Sequence, residues 1–273
     1  MSEPAEPVSD RPPDTLPSIC AEDLAVGFLI RYHGTEVTLR ESFVRLLDRF
    51  SRNGDRQSRW SQYFWALRGV NFAAYPGDIV GLIGRNGSGK TTLLKALAGI
   101  VGADRGRVTV RGKVGCLMSF GVGFKNNLSG RENVFINGSI LGLSQKEIQR
   151  RMKDIVEFAE LGRFIDAPVR TYSAGMKGRL GFAIAVHIDP DVLLLDEVLA
   201  VGDAVFRAKA GSIVDRFRSE HKTVIVANHS IGLIRKVCNK AVWLDEGTIR
   251  MQGDAATVTA AYAAEYHVEQ DAN

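Results

Sequence analysis

A glycine-rich segment in the first third of the chain has the residue types that hold phosphate groups. Residues 84–91 read GRNGSGKT and match the pattern G-x-x-x-x-G-K-[ST] at every position. An apolar run precedes the segment and a helix-forming run follows it, so backbone N–H groups and a helix N-terminus would converge on phosphate oxygens. The predicted nucleotide-binding residues are Gly84, Arg85, Asn86, Gly87, Ser88, Gly89, Lys90, Thr91 and Thr92.

Two residues of this segment have predicted roles beyond the cradle itself. The Lys90 ammonium is expected to contact the β- and γ-phosphates, and the Thr91 hydroxyl is expected to coordinate Mg²⁺. A glycine-rich loop that binds nothing is the alternative, which the complete motif and its context disfavour.

Two adjacent carboxylates end a later apolar run. Residues 192–195 are Val-Leu-Leu-Leu, and Asp196 and Glu197 follow them at the expected carboxyl edge of a sheet. We expect Asp196 to bind Mg²⁺ and Glu197 to polarise the attacking water, because phosphoryl transfer depends on positioning and charge neutralisation. A plain surface carboxylate is the alternative for Glu197. Together the two motifs predict a nucleoside triphosphatase.

The elements that must position these residues alternate between strands and helices. The pattern predicts an α/β protein with the P-loop NTPase fold, a mostly parallel doubly wound sheet, an antiparallel β subdomain and a helical subdomain insert. The predicted organisation is a disordered segment at 1–18, an ATPase domain at 19–255 with its helical subdomain at about 126–186, and a C-terminal helix and tail at 256–273.

Composition limits the class of partner. The chain has 273 residues, 35 Lys plus Arg and 31 Asp plus Glu, a small positive excess that favours an ordinary surface over a nucleic-acid groove. Its three cysteines are widely separated, which is typical of a reducing cytoplasmic compartment. No apolar run is long enough to span a bilayer, so work at a membrane would need another chain.

A short segment narrows the class of ATPase. Residues 172–176 read YSAGM, and Ser173 lies 23 residues before Asp196 at a predicted helix start. The segment resembles the signature motif of ABC-type ATPases, usually LSGGQ: Ser173 and Gly175 match, whereas Tyr172, Ala174 and Met176 differ. The resemblance implies that Ser173 and Gly175 contact ATP through a hydroxyl and helix N-terminal N–H groups.

Other positions resemble the same family in order. Asp203 matches the acidic residue of the D-loop, and His229 matches the switch histidine that contacts the γ-phosphate; a structural histidine is the alternative. The Q-loop position normally holds Gln or Glu near the metal, but Ser119 is its best match here. The adenine-stacking aromatic stays open among Tyr32, Tyr63, Phe64 and Trp65.

Four segments resemble the polysaccharide-exporting ABC subfamily. They are residues 117–133, the YSAGM segment, residues 196–203 and the aromatic-Ala-Leu start at Phe64–Leu67. That subfamily moves O-antigen, capsule, teichoic acid or galactan chains made on lipid carriers. The resemblance implies a head-to-tail homodimer of ATPase subunits with ATP and Mg²⁺ between them, a separate membrane permease, no nucleic-acid partner and a peripheral place on the cytoplasmic face of the cell membrane. A chain ending at Asn273 is expected to lack the C-terminal carbohydrate-binding domain of some members.

Some interpretations stay open. The segment 40–60 carries apolar residues at helical spacing beside several arginines, which fits a surface helix or an element that docks on a membrane partner or lipid. An importer or a drug or lipid exporter would share the same motifs. An ABC ATPase in DNA repair or on ribosomes usually has paired domains or coiled-coil insertions, and a non-catalytic subunit would not need Lys90, Asp196, Glu197 and His229.

Overall fold

The computed structural model describes residues 15–31, 61–118, 123–196 and 204–266. Two predicted segments fall elsewhere: residues 1–14 of the predicted disordered segment and the basic amphipathic segment 40–60 lie outside the described residues.

Strands of the described residues form two sheets. They are β1 (Ile19–Arg31), β2 (Ser61–Ala74), β3 (Ile79–Ile83), β4 (Arg105–Val110), β5 (Val114–Met118), β6 (Val192–Asp196), β7 (Thr223–Ala227), β8 (Lys240–Asp245) and β9 (Thr248–Asp254). The larger sheet has the order β5-β6-β7-β3-β8-β9, parallel except for β9, and the smaller antiparallel sheet has the order β2-β1-β4. Parallel neighbours that are distant in sequence require helical crossovers.

The helices are α1 (Lys90–Leu97), α2 (Gly130–Ile140), α3 (Gln145–Ala159), α4 (Ala174–His187), α5 (Ala204–Ser219), α6 (Ile231–Val237) and α7 (Ala255–Tyr266). Serine side chains cap several of their N-termini. Ser129 and Ser144 form reciprocal capping boxes with Glu132 and Glu147, which satisfy backbone N–H groups that a helix end leaves unpaired.

The central strand β3 shows why the sheet is doubly wound. Its five residues are all buried, and alternate side chains enter different cores. Ile79 and Ile83 pack in the cluster that includes Phe182 of α4 and Phe217 of α5. Val80 and Leu82 pack on the opposite face, with α1 and the smaller sheet. A third cluster joins α2, α3 and α4. The predicted fold class is therefore confirmed.

Candidate functional site

The glycine-rich loop joins β3 to α1, and its backbone allows no larger residue at two positions. Gly84 has φ +146°, and a Cβ there would lie 2.2 Å from the Leu244 carbonyl oxygen. Gly89 has φ +105°, and its Cβ would lie 2.8 Å from the Ala66 carbonyl oxygen. Both φ values belong to the region that favours glycine. The loop is thus wedged between β8 and β2 in a conformation that can present N–H groups to an anion.

The side chain of Lys90, the first residue of α1, lies inside this loop. It is 7% exposed, and Nζ donates hydrogen bonds to the carbonyl oxygens of Gly84 at 2.7 Å and Arg85 at 2.9 Å. Ser88 is buried beside it, and its Oγ has no hydrogen-bond partner among the described residues. A buried cation and an unsatisfied hydroxyl in one loop are groups that phosphate oxygens can satisfy.

A pocket of about 280 Å³ opens above the loop. Because β3 and β7 are parallel neighbours, with Leu82 opposite Ala227, the loop after β3 and the loop after β7 leave the sheet at the same edge. His229 follows β7 and reaches the pocket wall. The lining residues are Phe28, Phe64, Ala66, Asn86, Gly87, Gly89, Lys90, Thr91, Thr92 and His229.

Two aromatic rings stand on the far wall of the pocket. Phe28 of β1 and Phe64 of β2 are direct partners in the antiparallel register, so their side chains share a face of the smaller sheet. Phe64 was among the predicted adenine-stacking candidates, whereas Phe28 was not. Phe28 reaches the pocket because β1 pairs with β2, although the two strands are far apart in sequence. No local sequence pattern indicates that pairing, so the sequence alone did not identify Phe28.

The other candidates for adenine stacking are placed differently. Tyr63 and Trp65 flank Phe64 in β2 and therefore point to the opposite face of the hairpin, where their ring centroids are 4.9 Å apart. Neither residue lines the pocket. Tyr32 lies outside the described residues.

Asp196 ends β6, the strand beside β7, and its side chain is 8% exposed. Burial, assisted by the Asp196 carboxylate, raises the pKa of the neighbouring Cys116 thiol to about 12. Within the described ranges no cluster of three His, Cys, Asp or Glu side chains could hold a metal by itself. One carboxylate and one hydroxyl, from Asp196 and Thr91, nevertheless fit Mg²⁺, which is commonly bound through one or two carboxylates plus substrate phosphates. Glu197, Asp203 and Ser119 lie outside the described residues.

Ser173, which is exposed, and Gly175, which is half-buried, lie at the start of α4. Ser173 is the N-cap, and its Oγ accepts a hydrogen bond from the Met176 N–H at 3.2 Å. A Cβ on Gly175 would meet Ser173 Oγ at 3.8 Å, an ordinary contact, so packing within the described residues does not demand glycine there. Neither residue lines the pocket. The chain therefore does not bring this helix start to its own glycine-rich loop.

Comparison with known proteins places these features together in one family. The family model described as "ABC transporter" matches residues 67–200, which include the glycine-rich loop, the start of α4 and the end of β6. The chain is 43% identical over 251 residues to an O-antigen export system ATP-binding protein of Myxococcus xanthus, covering 92% of this chain and 56% of that protein. It thus spans little more than half of this relative's length.

Other relatives agree. An O-antigen export system ATP-binding protein of Klebsiella pneumoniae is 41% identical over 199 residues, covering 73% of this chain and 81% of that one. A teichoic acids export ATP-binding protein of Enterococcus faecalis is 43% identical over 204 residues, covering 75% of this chain and 45% of that protein. Among solved structures, a dimeric ATP-binding cassette with ADP and phosphate has a TM-score of 0.67 at 20% identity, covering 87% of this chain and 98% of that chain.

Proposed function

The chain belongs to the ABC transporter family of ATP-binding proteins, and we propose that it hydrolyses ATP to energise the export of a lipid-linked polysaccharide. The observation that carries this proposal is the loop around Lys90, a preformed phosphate cradle in a chain whose relatives are named for O-antigen and teichoic acid export. The proposed substrate class is a glycan chain on a lipid carrier.

Nucleotide binding begins with the triphosphate. Lys90 exchanges the carbonyl oxygens of Gly84 and Arg85 for phosphate oxygens, which bear full negative charge and attract its ammonium more strongly. Ser88 Oγ gains the hydrogen-bond partner that it lacks among the described residues. The N-terminus of α1 adds its dipole and the N–H groups of its first turn.

The base is held by the two phenylalanines on the opposite wall. We assign the adenine platform to Phe28 and Phe64, because they are the aromatic residues that line the pocket. Their rings offer π-faces and no hydrogen-bonding groups, so this platform recognises a flat base by stacking.

Mg²⁺ is proposed to sit between the loop and β6. Thr91 and Asp196 would hold it, together with phosphate oxygens and water. A divalent cation there neutralises charge that develops on the transferred phosphoryl group. Glu197, next along the chain, is proposed to orient and polarise the attacking water, and His229 to contact the γ-phosphate from the pocket wall.

The second half of the site is proposed to come from another copy of the chain. Ser173 is exposed and Gly175 is half-buried at a helix start that does not line the chain's own pocket, and glycine at 175 serves no packing need among the described residues. A helix start that is open and free of bulk permits close approach of phosphate. In a head-to-tail homodimer, Ser173, Gly175 and Asp203 of one protomer would close over ATP bound to its partner.

Closure is proposed to drive transport. Each ATP contacts both protomers only in the closed dimer, so binding shifts the population toward closure, and loss of the γ-phosphate contacts allows reopening. The described helices include none that is long and apolar enough to cross a membrane. A separate integral membrane permease is therefore proposed as the partner, with this subunit at the cytoplasmic face of the cell membrane.

Depletion of the protein in its host tests this function. We expect lipid-linked polysaccharide to accumulate in the cytoplasm, since its synthesis continues without export. Complementation with Lys90→Ala should fail, because the loop loses the cation that binds the β- and γ-phosphates. Lys95→Ala, on the same helix but outside the pocket, is the matched control and should restore export. Normal surface glycan in depleted cells, with none retained inside, would contradict the proposal.

A further inference from the structure

Three aromatic rings form a cluster behind the glycine-rich loop. Trp243 of β8 contacts Tyr262 and Tyr266 of α7, with ring centroids 5.3 Å and 5.9 Å away, and the two tyrosine rings are 4.9 Å apart. All three pairs are edge-on or tilted, the arrangements that aromatic quadrupoles favour. The cluster is thus a packed unit that joins the last described helix to the central sheet.

Arginine side chains lie over two of the three rings of this cluster. The Arg250 guanidinium is 4.3 Å from the Trp243 ring centroid, and the Arg85 guanidinium is 5.7 Å from the Tyr266 ring centroid. Both separations are within the range of cation–π attraction. Arg250 belongs to β9, remote from the nucleotide, whereas Arg85 is the second residue of the glycine-rich loop. The cluster therefore contacts the phosphate cradle at one point.

The side chain of Arg85 is directed away from the nucleotide pocket. Its neighbours Asn86 and Gly87 line that pocket, but Arg85 does not. Its backbone faces the other way, since the Arg85 carbonyl oxygen accepts a hydrogen bond from Lys90 Nζ. One residue thus connects the cation at the centre of the cradle to the ring of Tyr266.

The helix that carries Tyr266 is well anchored. Ala255 and Val258 of α7 are buried in the same core as β3, and Thr259 Oγ1 donates to the Ala255 carbonyl oxygen at 2.6 Å. Arg250 also pairs with Glu265, with 2.9 Å between nitrogen and oxygen. Tyr266 is therefore presented to the loop from a fixed support.

We propose that Tyr266 is a positioning residue for the glycine-rich loop, which it holds in its phosphate-binding conformation through the Arg85 guanidinium. The inference rests on the proposed function, in that the loop binds the phosphates of a nucleotide. A loop that is already ordered loses less conformational freedom when nucleotide binds, and the apparent affinity rises with the fraction of molecules in the competent form. No atom of Tyr266 needs to touch the nucleotide.

A double-mutant cycle on the full chain tests this coupling. Binding of Mg-ADP is measured by calorimetry for wild type, Arg85→Met, Tyr266→Leu and the double variant. A cation–π contact at an exposed site corresponds to about a two- to fivefold change in dissociation constant. Each single variant should raise the dissociation constant by that factor. The dissociation constant of the double variant should not exceed the larger of the two single-variant values. Multiplied effects, or no effect in either single variant, would overturn the proposal.

Two further variants exclude a general structural effect. Tyr266→Phe keeps the ring face and should bind Mg-ADP as wild type does; binding as weak as that of Tyr266→Leu would overturn the role of the ring. Arg250→Met removes the other cation from the same cluster, together with its ion pair to Glu265, without touching the loop, and it should weaken Mg-ADP binding less than Tyr266→Leu does. Loss of binding in Arg250→Met equal to that in Tyr266→Leu would likewise overturn the proposal. A wild-type chain that binds no Mg-ADP would instead refute the proposed function itself.

Discussion

Single residues in the glycine-rich loop show how strongly the backbone restricts this site. Gly84 and Gly89 hold conformations that favour glycine, and carbonyl oxygens of β8 and β2 occupy the space that a side chain would need. Lys90 is consequently buried with backbone acceptors rather than extended into water. A loop whose conformation is fixed by its glycines and by the neighbouring strands would lose little entropy on binding a nucleotide.

Phe28 and Phe64 are expected to contribute to affinity for the base and not to affinity for phosphate. Replacing either by Ala should weaken ATP binding about five- to 150-fold, the range that 1–3 kcal/mol of base stacking corresponds to. Calorimetric titration with ATP measures this change. Titration with inorganic tripolyphosphate separates base binding from phosphate binding. Each variant should bind tripolyphosphate with the same affinity as wild type does, because this ligand has no base.

Trp65→Ala is the matched control for these variants. Trp65 is adjacent to Phe64 but lies on the other face of the hairpin, against Tyr63. Its removal should leave ATP affinity within twofold of wild type. An equal loss in Trp65→Ala and Phe64→Ala would show that the hairpin as a whole, and not the two pocket-facing rings, supports the base.

Among the elements, the start of α4 carries a glycine, Gly175, that packing among the described residues does not require. Ser173 caps the helix, as Ser129 and Ser144 cap α2 and α3, but no glutamate completes a capping box there. We expect Ser173→Arg to abolish ATP hydrolysis while the isolated chain still binds ATP, because the bulk enters the space proposed for the partner's phosphates. Phosphate release measures the loss of hydrolysis, and equilibrium binding on the same preparation measures the retained affinity for ATP.

Loss of a helix cap alone costs about 1 kcal/mol, so Ser173→Arg needs a control for stability. Ser144→Arg removes the equivalent cap from α3 and should hydrolyse ATP at the wild-type rate. Undiminished hydrolysis by Ser173→Arg would remove the argument for a site shared between two protomers.

The end of α6 carries a thiol whose ionisation is coupled to folding. Cys238 is buried against Gly81 of β3, and burial raises the pKa of its thiol to about 12, slightly opposed by the Arg218 charge. The unfolded chain releases this proton near pH 9, its ordinary value, but the folded chain retains it. The folded state then binds more protons, so its stability falls as pH rises from about 9 towards 12.

Comparison of wild type with Cys238→Ala isolates this contribution, since the other titrating groups are common to both. Urea unfolding at pH 8 and at pH 10 should show a smaller loss of unfolding free energy in Cys238→Ala. The difference is at most about 1.4 kcal/mol per pH unit. Equal losses in the two proteins would show that the thiol is not protected as its burial indicates.

For the whole molecule, the parallel sheet gathers groups from distant parts of the chain at one edge. The ends of β3, β6 and β7 lead to Lys90, Asp196 and His229, and because β7 lies between β6 and β3 in the parallel sheet, these three strand ends reach the same edge. In the proposed head-to-tail homodimer, hydrolysis would need the second protomer as well as this edge. Assembly and chemistry should therefore be linked.

Glu197→Gln should expose that link. The amide keeps the shape of the side chain but cannot polarise water as a carboxylate does, so ATP should stay bound and uncleaved. We expect this variant to form dimers in Mg-ATP, detected by light scattering, and to return to monomers in Mg-ADP. Adding Lys90→Ala should prevent dimerisation. Hydrolysis by Glu197→Gln at the wild-type rate would refute the role proposed for Glu197.

Much of the fold and site could be predicted from the amino-acid order alone. The motif at 84–91 and the strand ending at Asp196 can be recognised from short stretches of sequence. Phosphate and metal binding need particular residue types at fixed spacing, and that spacing is visible along the chain. The succession of strand and helix patterns likewise predicted the architecture, and the fold class and the ABC family are confirmed. The roles of the predicted site residues remain predictions, and two of those residues, Glu197 and Asp203, lie outside the described residues.

Only the tertiary structure decided which aromatic rings face the pocket and what lies behind the loop. Phe28 and Phe64 are neighbours through strand pairing across a long insertion, and Arg85 reaches Tyr266 across most of the chain. Such contacts depend on register and on the packing of α7 against the sheet. A pattern read along the chain holds no information about them, because residues distant in sequence become neighbours only when the core forms.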